Sequence, residues 1–398
     1  MSDAQDNPPG LHPQTRAIRA GRSADGTSLA PVMYPTTTFS LPGVDEGRRL
    51  ATSSTSTTFY SRYGNPTVAG FEEAVADLEG AEAARAFASG MGAMAAVVLG
   101  LCSTGDHIVS QRRIYAGTQM LLQSVCPRFG IDVTLVDGTD PEAWEAAVRP
   151  GKTMLLVAET PANPRLDLVD LKRLGGIAGP MSVVDSTFAT PLGQRPLEHG
   201  VDLVVHSATK AMAGHNDASL GVVAGSRELL DWVWGFAVLQ GANASPFDAL
   251  NGTRGLRTLG VRLQRQTETA TRLAHELEGH PAVSAVAYPG LASFPQAELA
   301  LAQLDGPGGL LTVDLAGGLE AGRRFVEGTE VAQLATSLGG PETLVTHPAT
   351  TTHVSLLPDE LEAAGIRPGT VRISVGLEHG DDVVADLLGA LERCGEPA

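Results

Sequence analysis

Lysine is scarce in this 398-residue chain: of 28 basic residues, only Lys152, Lys172 and Lys210 are lysines. Basic residues as a group are outnumbered by 45 acidic ones, which gives a formal net charge of -17 at pH 7. Binding to nucleic acid requires clustered cations that neutralise phosphates, and the sequence contains no such cluster, so we expect no nucleic-acid partner. The position of each lysine is informative because arginine cannot supply a reactive amine.

Cysteine is also rare. Cys102, Cys126 and Cys394 are odd in number, far apart and without metal-ligand spacing. This pattern is typical of reduced thiols in the cytoplasm. We find no secretory h-region, and no apolar run reaches the roughly 18 residues that a membrane span requires. We therefore expect a cytoplasmic protein with no membrane partner and no bound metal.

The chain divides into three segments by composition and pattern. Residues 1–60 are rich in Ser, Thr, Pro and Gly, which predicts an extended N-terminal arm with loops and without a packed core. Over residues 61–250, apolar strand-like runs alternate with helical ones, which predicts a large α/β domain. Its central sheet should be mostly parallel, with helices on both faces. A long amphipathic helix is expected over residues 247–280, and the pattern of residues 251–398 indicates a smaller α+β C-terminal domain.

Polar residues of complementary chemistry follow four predicted strands, at the edge where such sheets bind ligands. The stretch FASGMGAMA places a strand-to-helix turn where free N–H groups and the helix dipole attract an anion. Taken singly, each site has a structural alternative, such as a helix N-cap for the aspartate or turn residues for the hydroxyls. The turn also fits GxGxxA, a weak dinucleotide fingerprint. The residues at the four ends are Ser89, Gly90, Met91 and Gly92; Glu159 and Asn163; Asp185; and Ser207, Thr209 and Lys210.

Together these residues match the requirements of pyridoxal 5'-phosphate: an amine, a phosphate cradle and a buried carboxylate. Lys210 would form a Schiff base with the aldehyde of the cofactor. Asp185 would keep the pyridine nitrogen protonated, so that the ring acts as an electron sink. Arginine cannot take the place of the lysine because its guanidinium stays protonated. Lys152 precedes a predicted strand and Lys172 lies in a polar helix, which leaves Lys210 as the candidate.

From about residue 14 to 390 the chain resembles the Cys/Met-metabolism family of pyridoxal-phosphate enzymes, within the aspartate-aminotransferase-like superfamily. The resemblance rests on YSRYGNPT, ASGMGA, YAGT, ETPANP, VVDSTFATP, HSATK, SLGGPETLVTHPATTTH and VRISVGLE. It implies fold type I and a small sulfur amino acid as substrate. It also implies a homo-oligomer, a dimer with shared active sites that pairs into a tetramer.

The resemblance further implies roles for individual residues. Tyr60 and Arg62 would bind the phosphate in the site of the neighbouring subunit, which fits their place in the N-terminal arm. Tyr115 would stack on the cofactor ring and act as an acid toward the leaving thiol. The remaining implied positions are Ser89, Gly90, Met91, Ser207 and Thr209 at the phosphate, Asn163 near the phenolic oxygen, Arg372 at the substrate carboxylate, and Ser337 beside it.

Four positions bear on the reaction that the resemblance implies. Members that handle cystathionine usually have glutamate where this chain has Thr336, which favours γ-elimination of L-methionine to methanethiol, 2-oxobutanoate and ammonia. Members with that activity usually carry a cysteine at the position of Gly117 and a Lys-Asp pair at Ala237 and Val238. A γ-replacement enzyme (cystathionine γ-synthase or acyl-homoserine sulfhydrylase), a cystathionine γ-lyase and a non-catalytic sensor or scaffold therefore stay open as alternatives.

Overall fold

Two sheets covered by helices form the framework of the protein, in a computed structural model that describes residues 10–22, 27–354 and 357–394. The strands are β1 (Ala83–Phe87), β2 (His107–Gln111), β3 (Asp132–Val136), β4 (Thr153–Glu159), β5 (Met181–Asp185), β6 (Leu203–His206), β7 (Gly221–Gly225), β8 (Val283–Ala287), β9 (Leu310–Leu315), β10 (Gln333–Leu334), β11 (Leu344–Thr346) and β12 (Thr370–Ser374). The helices are α1 (Pro13–Ile18), α2 (Val44–Ala51), α3 (Pro66–Glu79), α4 (Gly90–Leu101), α5 (Ala116–Met120), α6 (Pro141–Ala147), α7 (Leu171–Gly175), α8 (Thr190–Gly193), α9 (Arg227–Gln240), α10 (Pro246–Glu278), α11 (Ala297–Gln303), α12 (Gly318–Glu327), α13 (Pro358–Ala363) and α14 (Gly380–Cys394).

The larger sheet has seven strands in the order β1-β7-β6-β5-β4-β2-β3. Strands β2 to β6 pair in parallel, and β7 runs antiparallel to both of its neighbours, β1 and β6. Every residue of β6 and β7 is buried, as expected for strands that are covered on both faces. The predicted mostly parallel sheet is confirmed. Because β4, β5 and β6 are parallel neighbours, their carboxyl ends meet at one edge.

Helices cover both faces of this sheet, as predicted. On one face, α4 and α9 pack with β1, β5 and β6 in a core that includes Met94, Val205 and Trp234. On the other face, α3 and the first half of α10 pack against β1 and β7, with Phe71 and Leu256 fully buried. Leu203 and Val205 of β6 both lie in the first core because alternate strand residues point to the same face.

The smaller sheet has five strands in the order β10-β11-β12-β9-β8, and β12 pairs antiparallel with both β9 and β11. The second half of α10, together with α12 and α14, covers it. This arrangement is the smaller α+β unit that the sequence predicts. Helix α10 belongs to both units, since Leu259 packs in the core of the large sheet and Ala270 in that of the small one. The boundary between the two domains that the sequence predicts after residue 250 lies inside this helix.

The beginning of the chain differs from the expectation of an arm without a packed core. Helix α1 starts with Pro13, and the side chain of His12 accepts a hydrogen bond from the Gln14 N–H at its first turn. Ala17 and Ala20 are buried against α3 and α10. Ala17 lies in α1 and Ala20 in the turn that follows it, and their small side chains allow this close packing. Such a short match to the helical period is easily missed among Ser, Thr, Pro and Gly residues.

Neither bilayer-spanning helices nor disulfides are found in the described part of the chain. None of its helices is long and apolar enough to cross a membrane. Cys102 and Cys126 are buried free thiols, and Cys394 is partly buried and also free. Burial raises the pKa of the Cys102 thiol to about 12 and that of Cys126 to about 11, so both stay protonated at neutral pH.

Candidate active site

A cavity of about 590 Å³ lies at the carboxyl ends of β4, β5 and β6, beside the start of α4. The small sheet closes it from the other side with the segment before β11 and with β12. The topology thus brings together four predicted strand ends and two C-terminal segments that are far away in sequence. The predicted site residues that line the cavity are Ser89, Gly90, Met91, Tyr115, Asn163, Asp185, Ser207, Thr209, Lys210, Ser337 and Arg372.

The start of α4 presents backbone donors to the cavity. Ser89 is the N-cap, and its hydroxyl accepts a hydrogen bond from the Gly92 N–H at 3.0 Å. The N–H groups of Gly90 and Met91 come too early in the helix to have an intrahelical acceptor. A Cβ on Gly90 would lie 2.7 Å from the Ser207 Cβ, so only glycine allows the helix to start this close to the end of β6. These donors and the positive end of the helix dipole suit an anion.

A short hydrogen-bonded chain connects Asp185 to Ser207 across neighbouring strand ends. The hydroxyl and the backbone N–H of Thr187 both donate to Asp185 Oδ1, and the Ser207 N–H donates to the Thr187 hydroxyl at 2.8 Å. Asp185 is therefore not a helix N-cap, since α8 begins only at Thr190. Burial raises the pKa of Asp185, while the Thr187 hydrogen bonds and the charge of His206 oppose that rise.

Lys210 reaches across the cavity to the smaller unit. Its Nζ donates a hydrogen bond to the Ser337 hydroxyl at 2.7 Å, although the two residues are 127 positions apart. Burial, followed by the positive charge of Arg372, lowers the pKa of Lys210 to about 8. About a tenth of the amine is therefore uncharged at pH 7, far more than for an ordinary lysine. Lys152 and Lys172 lie outside the cavity.

Arg372 lies on β12 and lines the same cavity as Lys210. It donates to the Asn163 side-chain oxygen at 2.9 Å and to the Ser337 carbonyl at 2.8 Å. Ser337 holds a positive φ of 79°, a conformation that costs a non-glycine residue free energy. The Ser337 hydroxyl faces Lys210 while its carbonyl faces Arg372, so one strained residue orients both cations.

Glu159 joins two loops of the site and was given no role by the sequence. Its carboxylate accepts the N–H of Tyr115 and the N–H of Asn163, each at 2.7 Å. Burial, then the neighbouring charge of Asp185, raises the pKa of Glu159 to about 8. Glu159 is the residue opposite Asp185 in the pairing of β4 with β5, which explains why the charge of Asp185 acts on it. Glu159 therefore fixes the backbone of Tyr115, whose own side chain is 47% exposed.

Three predicted residues differ in their surroundings from the rest. Thr209 uses its hydroxyl to donate to the Leu220 carbonyl and to accept the Leu220 N–H, so it donates to an anion only after giving up the first bond. Tyr60 and Arg62 lie outside the cavity. Arg62 donates to the Val238 carbonyl at 3.0 Å and lies over the rings of Tyr60 and Tyr63.

Thr187 and His353 also line the cavity, and neither of them was assigned a role from the sequence. Thr187 follows Asp185 by two positions, a spacing at which aspartate commonly accepts hydrogen bonds in a turn, so VVDST carried a usable signal. His353 is buried beside Thr352, whose hydroxyl is 2.9 Å from its Nδ1. Burial and then the charge of Arg372 lower the pKa of His353, which therefore favours the neutral imidazole. No local pattern singled it out within HPATTTH.

These residues fit pyridoxal phosphate. The α4 N–H groups and the Ser207 hydroxyl are donors for a phosphate, Asp185 is a partly buried carboxylate that suits a protonated ring nitrogen, and Lys210 is a partly deprotonated amine. The close approach of Gly90 to Ser207 places the α4 N–H groups and the Ser207 hydroxyl next to each other.

Comparison with known proteins gives a consistent relationship. Residues 14–392 match the family described as Cys/Met metabolism PLP-dependent enzyme. An L-methionine gamma-lyase of Porphyromonas gingivalis is 43% identical over 95% of this chain and 96% of its own length. An O-succinylhomoserine sulfhydrylase of Pseudomonas aeruginosa is 42% identical over 94% of this chain and 93% of its own. A crystal structure of cystathionine gamma synthase from Xanthomonas oryzae superimposes with a TM-score of 0.90 at 35% identity, covering 98% of this chain and 99% of that one.

Proposed function

Because this chain belongs to the Cys/Met-metabolism family of PLP-dependent enzymes, we propose that it is a carbon-sulfur lyase that catalyses the γ-elimination of L-methionine. The reaction consumes one water and yields methanethiol, 2-oxobutanoate and ammonia. The observation that carries this proposal is the uncharged wall of the cavity around Thr336. The 43% identity to an L-methionine gamma-lyase supports it.

The wall matters because a substrate with a distal ammonium group requires a free carboxylate to receive it. Among the described residues that line the cavity, Glu159 and Asp185 are the only carboxylic acids. Glu159 is bound to two backbone N–H groups and Asp185 to Thr187. Thr336 and Leu338 are neutral, and Met91 and Met94 add apolar surface. The cavity therefore suits the thioether and methyl group of methionine.

Five residues would hold the cofactor in this proposal. The N–H groups of Gly90 and Met91 and the Ser207 hydroxyl bind its phosphate, Asp185 keeps its ring nitrogen protonated, and Lys210 bonds to its aldehyde carbon. When bound, pyridoxal phosphate supplies an electron sink for the pair released by loss of the substrate's α-proton.

The substrate is oriented by Arg372, which binds the α-carboxylate through the guanidinium edge that Asn163 and Ser337 leave open. Lys210 Nζ, when it is not bonded to the cofactor, would accept the α-proton and deliver protons within the site, and its lowered pKa favours the uncharged amine that this requires. The Tyr115 hydroxyl donates a proton to the departing sulfur. Glu159 holds the backbone of Tyr115 for this step.

To test the proposal, 2-oxobutanoate release should be measured from L-methionine alone, and then from an acyl-homoserine with and without sulfide. We expect keto-acid formation from methionine without a second substrate. Turnover that requires both acyl-homoserine and sulfide, with none from methionine, would refute it. Lys210→Ala should abolish the visible absorption of the bound cofactor.

A γ-replacement reaction is the second candidate, and Gly117 favours it. In this chain the Tyr115 ring fills the space beside Gly117, since a Cβ there would lie 2.5 Å from Tyr115 Cε1. The site thus departs from the cysteine-containing arrangement usual in methionine γ-lyases. The sulfhydrylase of P. aeruginosa is nearly as similar to this chain as the lyase is. The two-substrate assay separates these candidates.

We further propose a cytoplasmic homo-oligomer whose minimal unit is a dimer with shared sites, pairing into a tetramer. The support is that Tyr60 and Arg62 lie outside the cavity of their own subunit, with Tyr60 39% exposed. Mixing inactive Arg62→Ala and Lys210→Ala subunits should restore about a quarter of wild-type activity through hybrid dimers. No recovery after verified subunit exchange would refute the shared site. The free thiols support the proposed cytoplasmic location, because cysteines stay reduced in that compartment.

A further inference from the structure

A buried acid–imidazole pair lies directly behind the candidate site. His206, the last residue of β6, places its Nε2 2.6 Å from Oε1 of Glu79, the last residue of α3. Both side chains are completely buried. Glu79 Oε2 and His206 Nδ1 have no hydrogen-bond partner in the described part of the chain. Neither residue lines the cavity.

The strand register places the pair on the opposite side of the sheet from Asp185. His206 is the partner of Val222, and Val222 packs in the α3 core. Asp185 is the partner of Val205, which packs in the α4 core. His206 nevertheless directly precedes Ser207 in the segment that ends at Lys210. The imidazole is therefore attached to the strand end that forms the site.

Stability alone does not account for this pair. A buried ion pair loses more hydration than it regains unless its remaining donors and acceptors are also satisfied. Here one atom of each partner is left over. Glu79 also stands at the C-terminal end of α3, where the helix dipole disfavours a negative charge and favours a positive one. The short contact to the Glu79 carboxylate and the negative end of the helix dipole nevertheless favour a protonated imidazole, so the pair calls for an explanation other than stability.

We propose that Glu79 and His206 form a positioning pair, in which Glu79 holds a positively charged His206 behind the sheet so that Asp185 remains ionised toward the cofactor ring. The pair touches neither substrate nor cofactor and acts through Asp185. The opposition of the His206 charge to the raised pKa of Asp185 supports this relation. The inference rests on the proposed role of Asp185.

The experiment titrates the visible absorption band of the cofactor-loaded enzyme and measures pyridoxal phosphate affinity by equilibrium dialysis. His206→Gln removes the charge, and Glu79→Gln removes the partner that holds it. Both variants should lower the fraction of Asp185 that is ionised. They should therefore also lower the fraction of the ring nitrogen that carries a proton. A positive charge on the ring nitrogen disfavours a second proton at the Lys210 nitrogen. Loss of that charge should therefore raise the pH midpoint of the absorption titration by at least about half a pH unit. The affinity should fall by about 3- to 10-fold.

His107→Gln is the matched control. His107 is also fully buried in the large sheet, but it starts β2 at the opposite edge and has a threonine hydroxyl at each ring nitrogen. The His107→Gln variant should have a lower melting temperature but the same pH midpoint of the absorption titration. The double variant Glu79→Gln/His206→Gln should shift the midpoint no further than His206→Gln alone, because Glu79 acts only through the proton that it holds on His206.

Two results would overturn the proposal: a midpoint that stays at the wild-type value in both single variants while their melting temperatures fall, or shifts of opposite sign. If His206→Gln does not fold, Glu79→Gln decides the matter, since it preserves the shape of the side chain. A wild-type protein that shows no cofactor band would instead refute the proposed function, so the two failures are distinguishable.

Discussion

The contact between Gly90 and Ser207 can be tested by a single methyl group. In Gly90→Ala the new Cβ would lie 2.7 Å from the Ser207 Cβ and 2.9 Å from its Cα. Neither atom belongs to the flexible end of a side chain, so the start of α4 and the end of β6 must move apart. Overpacking of this kind costs about 1–3 kcal/mol in the free energy of unfolding.

The movement should also weaken cofactor binding, because it separates the donors on α4 from the Ser207 hydroxyl. If a loss of 1–3 kcal/mol fell entirely on binding, the Kd for pyridoxal phosphate would rise by about 5- to 150-fold. Since part of this cost falls on the stability of the free protein instead, we expect a rise toward the lower end of this range, about 5-fold. Equilibrium dialysis measures the Kd, and denaturant unfolding of the cofactor-free protein measures stability.

Gly92→Ala is the control within the same helical turn. Its Cβ would lie 3.4 Å from the Ala242 Cβ, an ordinary van der Waals distance, and Gly92 does not line the cavity. Alanine should stabilise the helix here by about 0.4–1 kcal/mol, because it restricts the unfolded chain. Cofactor affinity should stay at the wild-type value. Equal stability and equal affinity of the two variants would refute the reasoning.

Three further changes test the remaining parts of the site. Thr336→Glu places a carboxylate in the neutral wall, so kcat/KM for L-methionine should fall at least about tenfold while elimination from cystathionine rises; unchanged selectivity would contradict the proposed role of that wall. Ser337→Gly relieves the strain of the positive φ, whereas Ser337→Ala keeps it, and both lose the bond to Lys210. Ser337→Gly should therefore be the more stable in denaturant by about 1 kcal/mol, and the reverse order would contradict the strain argument. Arg372→Leu removes a positive charge near Lys210 and should raise the lysine's pKa above its value of about 8. The pH dependence of amine labelling in the cofactor-free protein measures this, with Lys152 and Lys172 as internal references, and an unchanged midpoint would exclude the influence of Arg372.

The part of the site that comes from the large sheet was predictable because it depends on local patterns. Each of Ser89, Asp185 and Lys210 follows an apolar run, and parallel strands place their carboxyl ends at one edge. Arg372 and Ser337 come from a different sheet and have no comparable local signal. Arg372 contacts Asn163 from 209 residues away, a distance over which periodicity carries no information. Their place in the site followed only from the family resemblance.

Contacts that cross between elements were hidden from the sequence for the same reason. Glu159 was noticed because it ends a strand, but its two backbone partners lie on separate loops and define its function only once folded. Glu79 and His206 are 127 residues apart. Each one alone matches an ordinary pattern, a glutamate at the end of a helix and a polar residue at the end of a strand. Their complete burial gives the pair its significance, and burial depends on how α3 packs against the sheet.

Gly117 shows how a departure from a family pattern changes meaning once the structure is considered. By sequence, glycine replaces the cysteine that is usual in methionine γ-lyases, and the position loses a side chain. In the structure the ring of Tyr115 occupies that volume, and a Cβ on Gly117 would lie 2.5 Å from Tyr115 Cε1 and 3.0 Å from Met91 Sδ. A side chain at residue 117 would therefore displace the ring of Tyr115 and crowd Met91, each of which lines the cavity. We therefore expect residue 117 to influence the position of the Tyr115 ring, and we propose that substrate choice depends on Gly117, Tyr115 and Met91 together.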